Sequence, residues 1–151
     1  MSNALDVLLL DTSVVVHLAR GDATGQAMER AYGIRDRRER PLLSVVSVGE
    51  LLSIATRRSW GAAKRERLRE IIAALVVLDL QRQPILEKYA EIDVFLAKSG
   101  HMIGQNDRWI AATAAAAGAV LLTNDKDFDP LDGAFLSRIY FDPRVPRESR
   151  A

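Results

Sequence analysis

Four carboxylates stand at positions from which a chain can do chemistry. Asp11 follows the apolar run Leu8-Leu9-Leu10, and Asp125 follows Val120-Leu121-Leu122 with only Thr123 and Asn124 between. Glu50 falls in the first turn of a helix expected from Ser47, and Asp107 stands beside Asn106 at the start of another. Each acid is tethered to a segment that must be buried, so each sits at the edge of a core. If the four converge, their repulsion and desolvation require an offsetting cation. An oxygen-rich donor set of this kind suits Mg²⁺ or Mn²⁺. Such an ion polarises a phosphodiester and activates water for in-line attack.

Taken singly, each acid also has a purely structural explanation. Asp11 and Asp125 fit turns, because Asp hydrogen-bonds its own following backbone. Glu50 completes Ser47-Val48-Gly49-Glu50, which reads as a capping box. Asp107 suits the positive end of a helix dipole.

The elements that position these residues follow from the apolar periodicity. Residues 6–10 read as a short buried strand and 14–19 as a short helix. Residues 22–40 read as one helix with Ala23, Ala27, Ala31 and Ile34 on a face, ended by Pro41. A strand at 42–46 precedes a helix at 47–58, and Leu68, Ile71, Ile72 and Leu75 stripe another from about Ala62. A strand at 76–80 leads into a helix carrying Ile85, Tyr89, Ile92 and Leu96, closed by Gly100. Asn106 is expected to cap a helix through Ala117, with strands at 119–123 and 138–141 beyond it. Strands alternating with helices imply a mostly parallel sheet covered on both faces, a three-layer α/β/α sandwich. Ligands then bind at the carboxyl ends of the strands, where Asp11 and Asp125 lie.

The segments around the acids are specific. Leu8-Leu9-Leu10-Asp11-Thr12-Ser13, Ser47-Val48-Gly49-Glu50-Leu51, Asn106-Asp107-Arg108-Trp109-Ile110-Ala111-Ala112 and Leu122-Thr123-Asn124-Asp125-Lys126-Asp127-Phe128 resemble the signature segments of PIN-domain toxins of the VapC type. Their order and spacing match, as does Gly100-His101-Met102-Ile103-Gly104, and the resemblance extends over residues 6–141. It implies a PIN-like fold and a Mg²⁺- or Mn²⁺-dependent endoribonuclease. It also implies that Asp11, Glu50, Asp107 and Asp125 form the catalytic, metal-binding pocket. Thr12 and Thr123 would support it through their hydroxyls, and Asp127 is the alternate acid of the fourth segment. The implied partners are an RNA substrate and a small antitoxin of the VapB kind, within a complex that contains a toxin homodimer.

Composition narrows the remaining classes. The chain has 151 residues and no cysteine, which excludes disulfides, thiolate zinc sites and cysteine nucleophiles and points to a reducing, cytoplasmic home. The reading is one nuclease domain over 1–151, with 142–151 as a flexible tail. No membrane role is expected: the run 110–122 is interrupted and too short to span a bilayer. A formal net charge of +1 means that any RNA-guiding cations must be local. Arg57, Arg58, Lys64, Arg65, Arg67 and Arg69 are such a stretch, either a solvated helix face or a phosphate-guiding rim. His17 reads as a partly buried structural imidazole, His101 lacks a second histidine for a metal site, and Trp60 and Trp109 read as core or interface.

Rival functions are weaker. A phosphotransferase using Asp11 as nucleophile wants an acid two residues on, where Ser13 stands. A PIN fold kept as a non-catalytic binding module would be expected to lose part of the acidic set. A DNA nuclease or RNA-processing nuclease without an antitoxin keeps the pocket and differs only in its biology.

Overall fold

The computed structural model describes residues 6–144. Five short strands carry the sheet: β1 Leu8–Leu10, β2 Leu42–Ser44, β3 Val76–Leu78, β4 Val120–Thr123 and β5 Ser137–Tyr140. The helices between them are α1 Thr12–Arg20, α2 Ala23–Tyr32, α3 Val45–Arg57, α4 Ala62–Ala73, α5 Gln83–Ser99 and α6 Gln105–Ala117, with a 3-10 helix at Lys126–Leu131. The strand order is β3-β2-β1-β4-β5 and every pairing is parallel.

The central strands are buried on both faces, as a parallel sheet demands. Leu8 and Leu10 face a core with α1–α4, while Leu9 and Leu121 face a second core with α5, α6 and Phe128. From β1 the chain winds outward through β2 to β3, and then returns to the other side of β1 as β4. The winding therefore reverses between β1 and β4, which is where open α/β sheets leave a crevice for ligands. Leu10 pairs with Leu122 at that point, and Asp11 N–H donates to Leu122 O at 2.9 Å.

Three boundaries differ from the sequence expectation, each for a local reason. The second helix stops at Tyr32, not near 40, because Gly33 takes a left-handed φ of 55° and its N–H closes onto Glu29 O. Ile34 is still buried, in the turn beyond. Asn106 does not cap α6; the helix begins at Gln105 after Gly104, which places Asn106 in the first turn. Of the expected tail, 142–144 continue past β5 with Pro143 O accepting from Thr24 Oγ1, and 145–151 lie outside the described residues.

The third difference removes the capping box. β2 passes directly into α3 at Ser44, whose hydroxyl accepts from Val46 N–H at 3.1 Å, so Ser44 is the cap. Ser47 and Glu50 lie deeper in the helix. Ser44→Ala should therefore cost about 0.5–2 kcal/mol in urea unfolding. Glu50→Gln should leave stability nearly unchanged, the reverse of the ranking that a box at Ser47 and Glu50 gives.

Candidate active site

Asp11 caps α1 at the end of β1 and is 3% exposed. Its Oδ1 accepts from Thr12 N–H at 2.8 Å, and its Oδ2 accepts from Ser13 Oγ at 3.0 Å and Thr123 Oγ1 at 2.7 Å. The Thr123 hydroxyl in turn accepts from Asp125 N–H at 2.9 Å, linking the ends of β1 and β4. Ser13 Oγ also accepts from Asn124 N–H at 3.3 Å. Asp125 caps the 3-10 helix, its Oδ1 accepting from Asp127 N–H at 2.9 Å, and buried Phe128 anchors the turn that follows.

Glu50 reaches the same cleft from α3. Its Oε1 lies 2.6 Å from Thr12 Oγ1, which is 2.8 Å from Ser47 Oγ. A carboxylate only accepts, so the Thr12 proton goes to Glu50 and Thr12 receives the proton of buried Ser47. Glu50 Oε2 accepts from Asn106 Nδ2 at 3.1 Å, tying α3 to the start of α6. Asp107 projects from that first turn, one residue on.

Asp11, Glu50, Asp107 and Asp125 thus line one open cleft of about 440 Å³, shared with Ser13, His17, Arg20 and Arg58. The tightest oxygen cluster is Asp107, Asp125 and Asp127, each offering one oxygen within 4.8 Å of the others. Asp127 is exposed, yet its carboxylate turns toward its neighbours instead of running along the surface. Thr12 hydrogen-bonds Glu50 and Thr123 hydrogen-bonds Asp11. Ser13 and Asn106 also touch the acids, and Ser47 acts one step back through Thr12; the sequence analysis singled out none of these three contacts.

The electrostatics are those of a site built for a cation. Burial lifts the Asp11 carboxyl to about 6 against the hydrogen bonds it accepts. Burial, then the charges of Asp11, Asp125 and Glu50, lift Asp107 to about 7. The Asp125 charge above all raises Asp127. Among the described residues, no Lys or Arg pairs with any of these five acids. The donor set fits a hard divalent ion: clustered carboxylate oxygens, no sulfur and no imidazole contact.

These shifts set a pH dependence. A carboxyl that holds its proton more tightly when folded destabilises the fold as pH rises from its unfolded value to its folded one. In EDTA, the protein should be more stable at pH 5 than at pH 8, with Asp11 alone contributing on the order of 1–2 kcal/mol. Urea unfolding at the two pH values measures this. Asp11→Asn should flatten the difference, and a rise in stability toward pH 8 would contradict it.

The basic stretch divides. Arg65 donates to Trp60 O and Ala55 O, Arg67 donates to Ala19 O, and Arg69 pairs with Glu66, so these three are structural. Lys64 lies over the Trp60 ring. Only Arg57 and Arg58 border clefts that contain the acids. Trp60 is buried, and half-buried Trp109 stacks on Tyr89 at 3.8 Å. His101 is exposed in its loop, far in chemistry from a ligand set.

This parallel sheet, with carboxylates gathered at its switch point, is that of a known family: the PIN domain matches residues 8–134. The chain belongs to the PIN-domain family. Within it, Ribonuclease VapC5 of Mycobacterium tuberculosis is 31% identical over 130 residues, covering 83% of this chain and 88% of the relative. The solved VapBC-5 toxin–antitoxin complex of that organism is 26% identical, with a TM-score of 0.65 over 89% of this chain and 98% of the other. VapBC2 of Rickettsia felis, solved bound to a DNA fragment from its promoter, shares the fold with a TM-score of 0.76 at 20% identity, over 90% and 99%.

Proposed function

We propose that this chain is a Mg²⁺- or Mn²⁺-dependent endoribonuclease acting as the toxin of a toxin–antitoxin pair. The observation that carries the reading is the convergence of Asp11, Glu50, Asp107 and Asp125 on one cleft without a pairing cation, in a chain whose relatives are VapC ribonucleases. The whole chain would act as one nuclease domain.

Asp11, Asp107, Glu50 and Asp125 would hold the ion, Asp11 and Asp107 foremost, with Asp127 able to join through its oxygen near Asp107 and Asp125. The oxygens of Asp11 and Glu50 are held in place by Thr12, Ser13, Thr123 and Asn106. The bound ion would neutralise charge on the phosphodiester and lower the pKa of the attacking water. The chain's own contribution is orientation: Asp11 and Asp125 hang from strand ends, Asp107 from a helix start and Glu50 from the second turn of α3, so the cleft enters the reaction already arranged.

Its partner would be a VapB-like antitoxin that places an Arg or Lys against Asp11 and Asp107, in a complex containing a toxin homodimer. No helix among the described residues is long and apolar enough to cross a membrane, and the cytoplasm is the proposed site of action. Expression of the chain alone should arrest growth with cleavage of cellular RNA. Co-expression of its antitoxin should relieve the arrest through a stable complex. A harmless chain with intact RNA cleavage would overturn the toxin reading and favour a processing nuclease.

A further inference from the structure

The acidic cleft has a basic wall. Arg20 from the end of α1 and Arg58 from the end of α3 line the same 440 Å³ space as the carboxylates. Neither is within ion-pair distance of those acids, so neither serves to neutralise them. Among the described residues the Arg58 guanidinium has no ion pair or hydrogen bond. Arg20 forms an ion pair with Asp22, Nε lying 3.6 Å from Oδ2, and among the described residues its guanidinium makes no hydrogen bond.

Asp22 is itself fixed from three sides. Its Oδ1 caps α2 by accepting from Gly25 N–H at 2.9 Å, and its Oδ2 accepts from His17 Nδ1 at 2.7 Å as well as facing Arg20. Burial opposes its charge, yet the Gly25 and His17 hydrogen bonds with the His17 and Arg20 charges hold its carboxyl below the usual range. The corner between α1 and α2 is closely packed, because a Cβ at Gly25 would lie 2.3 Å from His17 O. Thus Asp22 is tied to the α1–α2 corner, and its Oδ2 faces the Nε of Arg20, which lines the cleft.

We propose that Arg20 and Arg58 are phosphate-binding residues that seat the RNA strand beside the scissile bond, and that Asp22 is the residue that positions Arg20. This rests on the ribonuclease reading above. The chemistry is that of a guanidinium: its planar fork binds a phosphate through two parallel N–H donors, and holding Nε on a carboxylate leaves the opposite edge for the ligand. Two cations sharing one cleft with a cluster of carboxylates also set a direction. The strand's phosphates are drawn to the basic wall, and the reacting phosphate is left facing the acids.

The test combines RNA binding and cleavage with the full chain. Binding of a short fluorescent single-stranded RNA is followed against salt in an Asp107→Asn background, and KM and kcat are measured in the otherwise native chain with Mn²⁺. Arg20→Gln and Arg58→Gln should each raise KM several-fold with kcat within twofold. Each should also lower the log–log salt slope by about 0.7, the value for one lost single-strand phosphate contact. Arg20→Lys should recover only part of the loss, because it lacks the fork. Asp22→Asn separates positioning from charge. Asn also caps a helix well, and removing an anion should by itself tighten RNA binding; the proposal predicts weaker binding and a higher KM. Wild-type KM and salt slope in both Gln variants, with active native protein, would overturn the phosphate wall and leave the ribonuclease reading standing. Tighter or unchanged binding in Asp22→Asn would overturn its positioning role. An Arg-dependent salt slope in a native chain that never cleaves would uphold the wall and sink the ribonuclease reading.

Discussion

Asp107→Asn should lower RNA cleavage by on the order of 10³-fold or more while leaving the chain folded. Asp107 feels more of the other acids than any neighbour does, its carboxyl being raised by burial and by Asp11, Asp125 and Glu50 together. It also belongs to the three-oxygen cluster with Asp125 and Asp127. Asn keeps the size and position at the start of α6 but supplies a neutral, weaker oxygen donor. In EDTA at pH 8 the variant should be at least as stable as the native chain, since repulsion is relieved. The stabilisation that Mn²⁺ gives the native chain should largely disappear, because a ligand stabilises only in proportion to its occupancy. Single-turnover cleavage and Mn²⁺-dependent melting measure both effects, and native turnover in the variant would remove Asp107 from the site.

The largest effect on stability is expected at Phe128. This side chain is fully buried in the core shared with Leu9, Ile110, Leu121 and Leu131. It lies between Asp127 and Asp129 in the 3-10 helix that Asp125 caps. Phe128→Ala should cost about 3–5 kcal/mol through lost burial and a residual cavity. That is a large fraction of the roughly 5–15 kcal/mol that holds a domain of this size. Denaturant unfolding gives the cost. Mn²⁺ titration of the fraction that remains folded should show weaker binding, because the anchor of the acidic loop is gone. Phe128→Leu, which keeps most of the volume, should retain the metal affinity and lose much less stability. Unchanged Mn²⁺ affinity in folded Phe128→Ala would show that the loop is positioned by its hydrogen bonds alone.

The acids were legible in the sequence because each follows or precedes an apolar run whose burial fixes its direction. Leu8-Leu9-Leu10 and Val120-Leu121-Leu122 read as short buried strands, and the structure pairs them side by side, which brings Asp11 and Asp125 to one crevice. Other features depend on contacts that periodicity does not encode. Leu42 to Val46 is apolar except for Ser44, and one serine inside such a run does not by itself reveal that the strand yields to a helix there. Gly33 ends α2 by a backbone conformation that the continuing stripe through Ile34 conceals. Asn106 looked like a cap and is instead a donor to Glu50 across the cleft. The choice between Asp125 and Asp127 turned on the Asp125 cap, which brings both carboxylates to Asp107. Arg20 and Asp22 drew no notice in the sequence, because their meaning lies in the corner between α1 and α2.

The central claim is that these carboxylates hold a divalent ion with which the chain cuts RNA. The direct measurement is cleavage of structured RNA by the purified chain in Mg²⁺ or Mn²⁺ and in EDTA, with fragment 5′ ends sequenced and Asp107→Asn purified in parallel. The account predicts defined cuts that require the ion and vanish in EDTA and in the variant. Cleavage at the same sites that persists in chelator, with contaminating nuclease absent from the Asp107→Asn preparation, would contradict it.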